Sequence, residues 1–118
     1  MRFYALYLME NLKLNITTAG NTWNPTLLAI QAKGYKIILE YTVCDSECET
    51  PDYESYYQAE KDGRRFNAKT PVELLGLIAM WEVRGDDWQY DDLTEIDLHD
   101  ELMELAITYD TEGNIVED

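Results

Sequence analysis

Tyr53-Glu54-Ser55-Tyr56-Tyr57-Gln58-Ala59-Glu60-Lys61-Asp62-Gly63-Arg64-Arg65-Phe66 decides how this chain folds. Up to Lys61 the side chains alternate. Tyr53, Ser55, Tyr57 and Ala59 share one face, and Glu54, Tyr56, Gln58 and Glu60 the other. Period-two alternation is the pattern of a half-buried strand. Asp62-Gly63 then supplies two residues that tolerate positive φ, which predicts a two-residue hairpin with a primed turn. Such a turn sets the register: Lys61 opposite Arg64, Glu60 opposite Arg65, Ala59 opposite Phe66. The Glu60–Arg65 pair places opposite charges across the two strands, in agreement with that register.

Working toward the N-terminus, residues 35–43 form the most strand-like run, with Ile37, Ile38 and Leu39 at its centre. Asn24-Pro25 supplies a cap and a first-turn proline, and Gly34 a stop, for a helix whose apolar residues are Leu27, Leu28, Ile30 and Ala32. Before it, Leu12, Leu14 and Ile16 alternate with Lys13, Asn15 and Thr17, which predicts a further strand ended by Thr18-Ala19-Gly20-Asn21. Toward the C-terminus, Thr70-Pro71-Val72-Glu73 is a capping box, with Thr70 as cap and Glu73 reaching back. The helix it opens runs to Arg84 and stops at Gly85. Its stripe of Leu74, Leu75, Leu77, Ile78 and Trp81, widened by Met80, predicts a helix lying across the sheet.

A third helix is expected over residues 93–106. Ile96, Leu98, Leu102 and Leu105 would face inward, with Asp97, Asp100, Glu101 and Glu104 toward water. A small terminal hairpin is expected from residues 107–109 and 115–116, around Glu112-Gly113-Asn114. The predicted fold is therefore α+β, a two-layer sandwich. An antiparallel sheet of about four strands, in β-α-β-β-β-α order, is packed by two helices and followed by an acidic C-terminal helix. A chain of 118 residues is expected to form one domain. Residues 1–10 read as an edge strand or an N-terminal extension, with Met9 as an alternative start to Met1, and residues 86–118 as an acidic subregion.

That subregion carries most of the charge. Thirteen Asp and Glu lie between Asp86 and Asp118 with no Lys or Arg, whereas the first 85 residues hold eleven acids and nine bases. The formal net charge of −15 is thus a property of one end. A field of this sign repels nucleic acid and anionic membrane and speeds encounter with a basic protein. No apolar run approaches the ~18 residues that span a bilayer, and no leader with a cleavage site is apparent, so a cytoplasmic location is expected.

Few residues offer a chemistry. The one histidine, His99, lies among carboxylates and reads as a surface residue rather than a catalytic base. Cys44 and Cys48 are too few for a disulfide framework or, even with His99, for a four-ligand zinc site. Asp110-Thr111-Glu112-Gly113-Asn114 lacks the ligand spacing of a calcium loop. No glycine-rich phosphate loop is present. The expectation is a non-enzyme without cofactor or metal. Its partner surface would be drawn from Asp86, Asp87, Trp88, Tyr90, Asp91, Asp92, Glu95, Asp97, Asp100, Glu101 and Glu104. Aromatic residues supply contact area, and the carboxylates beside them match Lys and Arg.

Residues 25–84, read as helix, three strands and helix, superficially resemble the double-stranded-RNA-binding domain. That family places basic residues at the start of its second helix, where this chain has Thr70-Pro71-Val72-Glu73, so RNA binding is excluded. The segment Tyr56-Tyr57-Gln58-Ala59-Glu60-Lys61-Asp62-Gly63-Arg64-Arg65-Phe66-Asn67, continued through Thr70-Pro71-Val72-Glu73-Leu74-Leu75-Gly76-Leu77, resembles the strand–turn–strand–helix portion of small acidic bacterial proteins. Among these are immunity proteins of toxin–immunity pairs, including those of contact-dependent inhibition. The resemblance implies an immunity protein and assigns no toxin and no binding residue; the acidic charge points to a basic, nuclease-type toxin as the target. The alternative is a phage-encoded mimic of DNA that blocks a restriction or CRISPR-type complex. Carboxylates that serve only solubility form the third reading. The oligomeric state is left open.

Overall fold

In a computed structural model the chain is described over residues 12–43 and 53–117. Its contacts divide into two units, one ending at Asp86 and the other spanning Asp87–Asp118. The first holds α1 (Trp23–Ala32), β1 (Lys36–Val43), β2 (Tyr53–Lys61), β3 (Arg64–Ala68) and α2 (Pro71–Arg84). The second holds α3 (Leu98–Glu104), β4 (Thr108–Tyr109) and β5 (Ile115–Val116). The class is α+β, as expected from the sequence.

The central hairpin forms in the predicted register, with Lys61 opposite Arg64, Glu60 opposite Arg65 and Ala59 opposite Phe66. Asp62 (φ 51°) and Gly63 (φ 77°) both take the left-handed conformation that a primed turn needs. Arg65 Nη2 lies 2.9 Å from Glu60 Oε2 across the strands. β1 pairs antiparallel with the other side of β2, giving the order β1-β2-β3. Ile37, Ala59 and Phe66 therefore stand in one row, and Leu39, Tyr57 and Ala68 in the next, all on one face.

Both helices of this unit pack on that face. Ile30 of α1 and Leu74 and Ile78 of α2 join Tyr35, Ala59 and Ala68 in the core, with Ile37, Tyr57, Phe66 and Leu75 partly buried around them. Edge-to-face contacts of Trp23 with Tyr57 (6.2 Å) and Tyr35 with Phe66 (6.0 Å) extend it. The C-terminus of α1 is held by Lys61, whose Nζ donates to the Lys33 carbonyl at 2.7 Å. A cation there meets the negative end of the helix dipole. The Lys61 stem packs 3.4 Å from where a Cβ on Gly34 would stand, and Gly34 has φ 95°. Both facts explain the glycine stop.

α2 starts as its sequence says. The Thr70 hydroxyl accepts from the Glu73 N–H at 3.2 Å, the forward half of the box, and Pro71 occupies the first turn. At the far end the Gly85 N–H donates to the Trp81 carbonyl at 2.7 Å. Thr70→Ala is expected to cost about 1 kcal/mol of stability, read as a lower urea midpoint with an unchanged slope.

Three expectations are corrected. Residues 12–17 form no strand, and among the described residues the sheet has three strands rather than about four. Leu14 and Ile16 are 73% and 71% exposed. Alternation marks a chain that suits a sheet face, but a strand also needs a ladder partner, and no described strand pairs with it. α1 is not capped by Asn24. A 3₁₀ turn, Gly20–Thr22, runs directly into it, and the Thr22 hydroxyl donates to the Ala19 carbonyl at 2.7 Å. The third helix is seven residues, Leu98–Glu104, not the fourteen of residues 93–106. The proposed N-terminal edge strand and the Cys44–Cys48 segment lie outside the described residues.

The terminal hairpin forms as expected, pairing Thr108 with Val116 and Tyr109 with Ile115. The Gly113 N–H donates to the Asp110 carbonyl at 3.0 Å, and Gly113 (φ 87°) closes the turn as a bulge. No helix among the described residues is long and apolar enough to cross a membrane.

Candidate functional site in the acidic segment

The eleven residues expected to form the partner surface do not act as one set. Asp86 belongs to the first unit and is consumed by it. Its carboxylate accepts from Arg64 Nε at 2.7 Å, from Arg64 Nη2 at 2.6 Å and from Trp81 Nε1 at 2.8 Å. The Arg64 guanidinium in turn lies 4.9 Å from the Trp81 ring. Trp81 also meets Phe66, with ring centroids 5.7 Å apart. The cluster ties the C-terminus of α2 to the start of β3, which gives Asp86 a structural duty. Arg64 and Trp81 were not flagged by the sequence. The available signal was Gly85, a stop that lets the next side chain turn back on its own helix, toward the arginine after the turn.

The Arg64 and Trp81 hydrogen bonds hold the Asp86 carboxyl well below the usual carboxylate range. The pairing favours the charged form, so its contribution is complete above about pH 4, where an unfolded aspartate ionises. It is lost as the pH falls through the depressed native value. Wild type is therefore expected to lose more stability on acidification below pH ~4 than Asp86→Asn. Urea midpoints of the two proteins should converge as the pH falls. About two-thirds of the Asp86 side chain is open to solvent, so added salt should shrink the gap as well.

Within the second unit, four more carboxylates shape their own backbone. Asp91 accepts from the Leu93 N–H at 3.0 Å and from the Thr94 hydroxyl at 2.9 Å. Glu95 accepts from the Asp91 N–H at 2.9 Å. Asp97 caps α3 by accepting from the Asp100 N–H at 2.9 Å. Asp110 accepts from the N–H groups of Glu112 and Asn114, both at 2.9 Å. These bonds explain why the third helix is short. Asp91 closes a turn of its own, and the helix starts only where Asp97 supplies a second cap.

The remaining acids differ. The side chains of Asp87, Asp92, Asp100, Glu101 and Glu104 are exposed and have no hydrogen-bond or ion-pair partner among the described residues. Trp88 and Tyr90 lie in the same segment, 45% and 55% exposed, with the Tyr90 hydroxyl donating to the Glu95 carbonyl at 3.3 Å. Leu98, Leu102 and Leu105, expected to face inward, are exposed, as is Ile96. A unit this short has too little chain to enclose them. His99 is exposed on α3. Among the described residues no three His, Cys, Asp or Glu side chains gather to hold a metal ion. Comparison with protein-family models, curated proteins and solved structures finds no match for this chain.

Proposed function

We propose that this chain is a non-catalytic acidic binding protein of the cytoplasm that neutralises a basic enzyme. Its partner is a nuclease-type bacterial toxin, for which it serves as the immunity protein. The support is the set of exposed carboxylates at Asp87, Asp92, Asp100, Glu101 and Glu104, which engage no cation among the described residues. A nuclease cleft is basic because it binds phosphates, and such carboxylates substitute for them while Trp88 and Tyr90 add contact area. The lone, exposed His99 supports binding rather than catalysis.

The DNA-mimic alternative asks for a longer charged row. A helix of seven residues is about 10 Å long, some three phosphate steps along one strand. The test takes a toxin-type reading frame found beside the one for this chain and uses its nuclease domain. Tight, salt-sensitive binding that abolishes its nuclease activity is expected. A neighbouring toxin domain that is neither bound nor inhibited sinks the immunity reading. Competition with duplex DNA for an unrelated defence complex would favour the mimic instead.

A further inference from the structure

Residues 87–117 hold their shape without a core. None of their side chains is buried, and only Glu95 and Ile115 are half-buried. What fixes α3 is local: Asp97 caps its start, and the Leu105 N–H donates to the Glu101 carbonyl at 3.2 Å at its end. The leucines contribute little to that order, since Leu98, Leu102 and Leu105 are 56%, 58% and 78% exposed. Short helices draw most of their stability from a covered apolar face, which α3 supplies and does not use.

The pattern of that face is specific. The three leucines recur at i, i+4 and i+7, so at about 100° per residue they fall within an arc of roughly 60°. So narrow a stripe is the seam of a helix–helix contact rather than the broad face of a helix laid on a sheet. Asp97, Glu101 and Glu104 repeat the same spacing one residue earlier. They form a row of acids along one flank of the leucine row. Asp100 lies on the opposite side of the helix.

Two such rows select their cover. A second copy brings the same acids, from a stretch with thirteen acids and no base between Asp86 and Asp118, so like charges would meet across the seam. Helices that lie in a lipid interface carry Lys and Arg on their polar face, and α3 has neither. An amphipathic helix with a Lys or Arg row beside its apolar stripe satisfies both rows at once.

We propose that α3 docks on an amphipathic helix of a basic partner protein, leucine row against apolar stripe, with Glu101 and Glu104 paired to Lys or Arg along its edge. The leucines then hold the complex together, and the acids speed its formation and set its orientation. This inference rests on the reading of a basic partner and not on that partner's being a toxin.

The test uses the full chain and a capped synthetic peptide of about three heptads, with leucine at a and d and lysine at e and g, an edge that keeps the peptide from pairing with itself. Titration calorimetry is expected to show saturable binding with a negative heat-capacity change, the mark of apolar burial. Leu98→Ala and Leu102→Ala should each weaken it about tenfold. Both variants should fold as wild type, checked by circular dichroism and the urea midpoint, because alanine favours a helix and neither leucine is buried in the free protein. E101Q combined with E104Q should weaken binding and flatten its salt dependence, whereas D100N, on the far side, should change little. Wild type that leaves the peptide unbound, leucine variants that bind like wild type, or D100N as damaging as the paired glutamate changes would each overturn the proposal. So would leucine-dependent binding to phosphatidylcholine vesicles, or self-association of the chain, in place of peptide binding. The two failures are distinguishable: a neighbouring toxin domain that goes unbound counts against the immunity reading, and an unbound peptide against this docking mode.

Discussion

Leu74→Ala is expected to lower the stability of the protein by about 3–5 kcal/mol, the range for truncating a fully enclosed leucine. Leu74 is 0% exposed and sits on α2 against the face carrying Ala59 and Ala68, with Ile78 one turn further on. Both alanines are too small to move into the space left behind, so most of the cavity should persist. A small domain holds roughly 5–15 kcal/mol in total, so this single change removes a large part of it. In urea, with a slope of about 1–3 kcal/mol per molar, the midpoint should fall by about 1–5 M. Leu77→Ala on the same helix serves as the control. Leu77 is 37% exposed, and its loss should move the midpoint much less. Equal effects from the two substitutions would contradict the packing described above.

The second large effect concerns association. Asp100→Asn, Glu101→Gln and Glu104→Gln together should slow binding to a basic toxin domain by about 10-fold to 100-fold at low salt. The dissociation rate should change less, because charges at a solvated surface act mainly on encounter. The salt dependence of the association rate should flatten in the same variant. Folded stability should change little, since relief of the repulsion along α3 is offset by the loss of Asp100 and Glu101 from its first turn, where the helix dipole favours acids. An unchanged association rate, measured by stopped flow, would sink the charge-based mechanism. Asp91 and Asp97 are poor choices for this experiment, because their carboxylates also close a turn and cap a helix.

Much of the fold was legible because its signals are local. Asp62-Gly63 fixed the hairpin register to the residue, and Thr70-Pro71 with Gly85 fixed both ends of α2. The terminal hairpin followed from Gly113 in the same way. Where a choice depended on distant partners, pattern alone failed. Residues 12–17 alternate as well as any strand, yet alternation does not say whether a neighbour is there to pair with. The heptad-like spacing of Leu98, Leu102 and Leu105 likewise describes a face without supplying anything to cover it. Within the candidate surface, sequence located the acids but not their duties. Asp86, Asp91, Glu95 and Asp97 look the same as Asp87 and Asp100 in a string of letters. Only the positions of Arg64, Trp81 and the nearby N–H groups separate those that hold the backbone from those turned to solvent.

The short reach of the Asp91 and Asp97 bonds has a kinetic consequence. The bonds that shape residues 90–101 close loops of only two to five residues. Contacts of such low order form on the microsecond scale or faster, whereas the β1–β2 pairing closes larger loops, from Val43–Tyr53 out to Lys36–Glu60. These bonds all lie within the segment itself. Its turns and its helix cap can therefore form early, on the time scale of local structure.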